Sequence, residues 1–105
     1  MHTQVAEVLI DIEAELRQLQ LWEFEPPPDE AFASTQPFCF DTLTLPQWLQ
    51  FVFLPRMHDL VAAEAPLPGD CGIRPMAEEY FRNAQLPIRE LLLALDRVDR
   101  LLGGA

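Results

Sequence analysis

Residues 32–60 read FASTQPFCFDTLTLPQWLQFVFLPRMHDL. The stretch begins polar and turn-forming at Ser34, Thr35, Gln36 and Pro37, passes through Phe38 and Phe40, and then becomes helical. Thr44 with Gln47 three residues on has the spacing of a capping box, and Pro46 stands in the first turn, where its missing N–H is tolerated. Trp48, Leu49, Val52 and Phe53 supply a buried face. Pro55 then removes a backbone donor and sets its ring against the carbonyl of Phe51. That predicts a kink or break, worth about 3 kcal/mol in an otherwise regular helix. Met57, Leu60 and Val61 keep helical spacing to about Ala63. Trp48 and Phe51 share one side of a regular helix while Phe53 points elsewhere. The crossover phenylalanines are therefore expected to cover part of this aromatic surface.

Upstream lies a connection over residues 23–43, long for a chain this small. Phe32, Phe38 and Phe40 would sit in water if it were disordered, so it is predicted to be an ordered crossover strapped across the helices. A short helical turn is expected near residues 29–33. Pro26, Pro27 and Pro28 close the preceding helix and favour extended backbone. That helix carries a clean seam, Val5, Leu9, Ile12, Leu16, Leu19 and Trp22, with Thr3 as its expected N-cap. Glu7, Asp11 and Glu15 form a like-charged row costing a few tenths of a kcal/mol per pair, partly offset by Glu13 with Arg17.

Downstream, residues 66–70 read as a turn, and a third helix is expected to open at Pro75. Glu78 and Glu79 would lie in its first turn, with Met76, Tyr80, Phe81 and Ala84 inward. A fourth opens at Pro87, with Ile88, Leu91, Leu95, Val98 and Leu102 as its seam, an Asp96–Arg100 pair, and Gly103-Gly104 as its stop. The expectation is an all-α fold. It is a single-domain four-helix bundle over residues 1–105, with a long ordered crossover between helices 1 and 2 and a proline-kinked helix 2.

The chain has 105 residues, of which 50% are hydrophobic. That is enough for a core without metal or disulfide support. Seventeen acidic residues face seven arginines and no lysine, for a net charge of −10. Such a surface repels phosphate backbones and anionic membranes, which argues against direct nucleic-acid or membrane binding. It suits a basic protein partner, or simply a well-solvated exterior. The first 20 residues carry Glu7, Asp11, Glu13 and Glu15 where a secretory signal would be apolar. No run is long enough to span a bilayer. The expected location is the cytoplasm, with Cys39 and Cys71 reduced.

His2, Cys39, His58 and Cys71 are the soft ligands, scattered without the paired spacing of zinc sites, so neither metal nor cofactor is expected. Cys39 and His58, with Asp41 or Asp59, contain the residue types of a triad, but Phe38 and Phe40 give Cys39 the setting of a core residue. No catalytic residue is assigned. The candidate interaction or ligand patch comprises Ser34, Thr35, Gln36, Asp41, Trp48, Arg56, His58 and Asp59. Arg56 has two roles open to it. It could grip a carboxylate or phosphate from outside. Alternatively it is a strut, bonding Asp41, Asp59 or crossover carbonyls, and in so acidic a chain the strut is favoured.

The strings STQPFCFDT (34–42), WLQFVFLPRM (48–57) and PLPG (66–69) resemble the bacterial YqcC-like family, a domain of unknown function, most densely over residues 32–80. The resemblance implies a small helical bundle of the cytosol with no established activity, cofactor or catalytic residues. Through gene neighbourhood in that family it also implies a link to a tRNA pseudouridine synthase. No residue here supports pseudouridine chemistry, since the synthase fold needs a larger mixed sheet and an aspartate in its own motif. Two functions stay open. The first is a non-enzymatic module docking a basic protein, with a tRNA-modifying enzyme as candidate. The second is an anionic-ligand or catalytic site in a groove around Arg56 and residues 34–41.

Overall fold

The computed structural model describes residues 2–69 and 72–103, and Asp70, Cys71 and the Gly104 stop fall outside them. Its helices are α1 (His2–Gln18), α2 (Leu45–Trp48), α3 (Leu54–Ala62), α4 (Ile73–Tyr80) and α5 (Arg89–Gly103). A π turn, Leu49–Phe53, joins α2 to α3 without a break, so the molecule is an all-α bundle of four helical rods. Among the described residues there is no strand. No helix among the described residues is long and apolar enough to cross a membrane.

The seams read from periodicity form the core except at their ends. α1 stops at Gln18 and α5 opens at Arg89 rather than at Pro87, leaving Trp22 and Ile88 outside the helices and half-buried against the core. Val5, Leu9, Ile12 and Leu16 of α1 are fully buried, with Val8 added to the stripe. They face Leu91, Leu95 and Val98 of α5 and Leu54 and Met57 of α3. Each such side chain contributes about 2 kcal/mol by leaving water. Arg17 pairs with Glu13 at 3.0 Å and Arg100 with Asp96 at 2.9 Å, as their spacings predict. The like-charged row of α1 is relieved from across the bundle, where Arg97 of α5 meets Asp11 at 2.9 Å. Thr3 is not a cap, because α1 is already helical at His2. The His2 imidazole instead donates to the Ala65 carbonyl at 2.7 Å, tying the start of α1 to the segment after α3.

Pro55 acts one turn before itself. The Leu54 N–H reaches back to the Leu49 carbonyl, five residues away, and the widened turn makes room for the proline ring. Backbone angles stay right-handed helical through Phe53 and Leu54, so the ladder is interrupted but the helix does not end. The wide turn also corrects the expected aromatic geometry. The wider winding brings residues five apart closer to one face than an α-helix does, and Phe53 stacks on Trp48 with ring centroids 5.4 Å apart. Phe38 meets the same indole edge-on at 4.8 Å, supplying the expected cover. Phe40 remains outside, 56% exposed.

α4 opens at Ile73, two residues before the expected Pro75. Glu78 and Glu79 therefore fall outside its first turn, and Tyr80 and Ala84 are exposed, whereas Ile73, Ala77 and Phe81 are buried. The early start has a tertiary cause. Gly72, in the left-handed region at φ 62°, brings no capping side chain. Asp99 of α5 does the capping, its carboxylate accepting the N–H groups of Ile73 at 2.9 Å and Arg74 at 2.8 Å.

Both α1 and α3 end in six-residue Schellman turns. Leu21 N–H bonds the Leu16 carbonyl, and Ala65 N–H bonds the Leu60 carbonyl. The left-handed position in each turn is held by a residue other than glycine, Gln20 at φ 62° and Glu64 at φ 51°. A side chain there costs about 1 kcal/mol, and an acidic one at a helix C-terminus also opposes the dipole. Glu64→Gly is expected to raise stability by about 1 kcal/mol, read as a higher urea midpoint, with Gln20→Gly gaining somewhat less. A loss in both variants would show these turns to be unstrained.

Candidate interaction surface

The expected crossover is present and built of two short 3₁₀ turns, Asp29–Ala33 and Pro37–Cys39. The first coincides with the turn expected near residues 29–33. Ser34 donates its hydroxyl to the Asp41 carboxylate at 2.5 Å and accepts the Gln36 N–H at 3.0 Å, so Ser34, Gln36 and Asp41 form one local loop. Thr42 donates to the Ala31 carbonyl at 2.6 Å, stitching the two turns together. Phe38 and Cys39 both adopt left-handed backbone, at φ 57° and 50°. Two such residues in succession carry strain of order 1 kcal/mol each. The interlocked bonds around them, with Phe38 seated on Trp48, hold the geometry.

The crossover joins the second rod through its side chains and backbone at residue 23. Gln50 is the one buried polar side chain among the described residues. It faces the Glu23 peptide squarely. Its Oε1 accepts the Glu23 N–H at 2.8 Å, and its Nε2 donates to the Glu23 carbonyl at 2.6 Å. This is the pairing that two strands exchange, made here by one side chain. Gln47 completes the capping box with Thr44 and also donates to the Glu23 carboxylate at 3.3 Å. Neither Glu23 nor Gln50 was among the candidates, although a signal was available. Gln50 lies three and four residues before Phe53 and Leu54, a polar residue inside an apolar stripe.

Arg56 does not hold the crossover. It projects into solvent and makes no hydrogen bond or ion pair with any described residue. The reason is geometric. Met57 takes the core position on α3, which turns Arg56 and, with it, His58 and Asp59 outward. The eight candidates therefore divide in two. Ser34, Gln36 and Asp41 are bonded together, exposed Thr35 lies among them in sequence, and Trp48 lies beneath through Phe38. Arg56, His58 and Asp59 form a separate exposed set on α3 that no hydrogen bond or ion pair connects to the crossover among the described residues. Arg56→Ala is accordingly expected to change stability by less than about 0.5 kcal/mol. A loss above about 1.5 kcal/mol in urea denaturation would restore the strut.

Charge is arranged unevenly. Arg17, Arg74, Arg82, Arg97 and Arg100 are each paired with a carboxylate, leaving much of the acidic excess unneutralised at the surface. Among the described residues, no three of His, Cys, Asp and Glu stand close enough to hold a metal ion.

Comparison with known proteins places this geometry in company. A family model described as "tRNA pseudouridine synthase C" matches residues 4–101. An uncharacterised protein of Escherichia coli (strain K12), YqcC, is 42% identical over 101 residues, covering 95% of this chain and 92% of its own. An uncharacterised protein of Haemophilus influenzae is 36% identical over 101 residues, with 96% and 94% covered. A solution NMR structure of E. coli YqcC superposes with a TM-score of 0.81 at 40% identity, covering 97% of this chain and 87% of that one. A tRNA pseudouridine synthase C of Pectobacterium carotovorum is 52% identical over 65 residues, 62% of this chain. The matched stretch is only 17% of that longer relative.

Proposed function

This chain belongs to the YqcC-like bacterial family, whose function is unknown, and on that premise we propose that it is a non-enzymatic docking module of the cytoplasm, whose partner is a basic protein and most specifically a tRNA pseudouridine synthase. One observation carries the proposal. In the Pectobacterium relative a segment 52% identical to this chain is one sixth of a longer polypeptide named for that synthase. Covalent linkage holds two modules at high effective concentration, and a separate chain reaches the same state by binding. The family model's description points the same way.

The physical character of the surface supports this. A net charge of −10, with no lysine, disfavours contact with tRNA itself and favours an RNA-binding enzyme's basic exterior. Attraction of this kind acts mainly on the association rate and weakens with salt. The test is a binding titration of the purified chain against the synthase of the same bacterium at low and high ionic strength. Binding at low salt that weakens about tenfold or more by 0.5 M is the expected result. Affinity indifferent to salt removes the electrostatic component. Absence of binding at low salt removes the proposal.

Arg56 favours a second function, an anionic-ligand site on α3. Its guanidinium is exposed and unpaired among the described residues, with His58 nearby in sequence. Small carboxylates and phosphates that raise the melting temperature of the parent but not of Arg56→Ala would support it. Equal shifts in both proteins would reject it.

A further inference from the structure

Phe24 is 91% exposed, more than any other large apolar side chain among the described residues. A phenyl group left in water forgoes about 2 kcal/mol of burial, and nothing in the bundle needs it. Yet the backbone that carries it is held. The carbonyl gripped by the Gln50 amide belongs to the peptide linking Glu23 to Phe24. On the other side Pro26, Pro27 and Pro28 restrict the chain to extended backbone. The ring therefore projects from a fixed point, and little backbone ordering is left to do when a partner arrives. It flanks a shallow groove whose other walls are Trp22, Gln20 and Arg17. The Arg17 guanidinium is 4.4 Å from the Trp22 ring centre and is itself neutralised by Glu13.

The immediate neighbours are acidic. Glu23 and Glu25 bracket Phe24, and Asp29 and Glu30 follow on the next turn, all four exposed. An aromatic anchor flanked along the chain by exposed carboxylates is complemented by an apolar pocket edged by lysine and arginine. We infer that Phe24 is the anchor through which this chain docks, entering such a pocket on the basic partner while Glu23, Glu25, Asp29 and Glu30 meet its rim. The inference rests on the docking function proposed above and assigns it a surface, on the face formed where α1 hands over to the crossover.

The test titrates full-length parent, Phe24→Ala, Glu25→Lys and Phe40→Ala against the purified synthase by calorimetry. Phe24→Ala is expected to lower affinity about 30-fold, as loss of a central aromatic does, and Glu25→Lys to lower it and flatten its salt dependence. Phe40→Ala, exposed but outside the groove, should stay within about twofold. Unfolding midpoints of the Phe24 and Glu25 variants should match the parent, since both side chains stand in solvent. Parent binding with Phe24→Ala within twofold overturns the anchor and leaves the docking function standing. Failure of the parent to bind at low salt overturns both.

Discussion

Gln50→Ala is expected to cost about 3 kcal/mol of folding free energy, a large share of what a domain of this size possesses. The substitution removes both bonds to the Glu23 backbone and leaves a void where a buried side chain stood. Each backbone group left without its partner costs about 1 kcal/mol or more, according to how well water reaches it. Gln50→Glu separates the causes. It keeps the size and the acceptor for the Glu23 N–H, but turns a carboxylate oxygen toward the Glu23 carbonyl. It should therefore be no better than Gln50→Leu, which has neither bond but fills the space. Urea denaturation gives the energies, and amide exchange at Glu23 gives the location. A loss below about 1 kcal/mol, with exchange at Glu23 unchanged, would mean that the aromatics alone hold the crossover.

Asp99→Ala should cost about 2 kcal/mol by uncapping α4. At eight residues α4 is far too short to persist without tertiary support, and its N-cap position is a glycine. The Asp99 carboxylate is what satisfies its first two N–H groups. Asp99→Asn retains one acceptor oxygen and should lose roughly half as much. Amide exchange at Ile73 and Arg74 should accelerate ahead of global unfolding, since Ile73 is the buried residue that pins this end. Slow exchange there in Asp99→Ala would show that burial of Ile73 and Ala77 suffices.

These two side chains mark the boundary of what the sequence discloses. The seams of α1 and α5, the capping box at Thr44 and the 3₁₀ turn at Asp29–Ala33 were all legible, because each rests on residues within a few positions of one another. The opening of α4 was not, because its cap lies 26 residues downstream on another helix. The Gln50 clamp spans 27 residues and involves a peptide group whose identity no side chain advertises. Arg56 was misplaced for a related reason. Its donors suggested Asp41, Asp59 or the crossover carbonyls as partners, but Met57 claimed the inward position on α3 and Arg56 turned to solvent. Of the candidate surface, the crossover half was legible as a unit. Phe24 was passed over because an isolated phenylalanine beside prolines has no periodicity to give it meaning.

The π turn also records how the second rod tolerates change in length. A turn of i→i+5 winding holds one residue more than its α counterpart, which is the trace an insertion leaves when neither flank is free to rotate. Leu45 and Leu49 fix the register before it, Leu54 and Met57 the register after it, and all four are buried. Deleting one residue within Leu49–Phe53 would swing everything downstream by about 100° about the axis. Met57 would leave the core, and the Pro55 ring would meet an unwidened ladder. A shortened rod would therefore need the proline replaced and α3 repacked at the same time. The wide turn and Pro55 are thus coupled through the packing of the second rod, and neither can be altered alone without disturbing the core position of Met57.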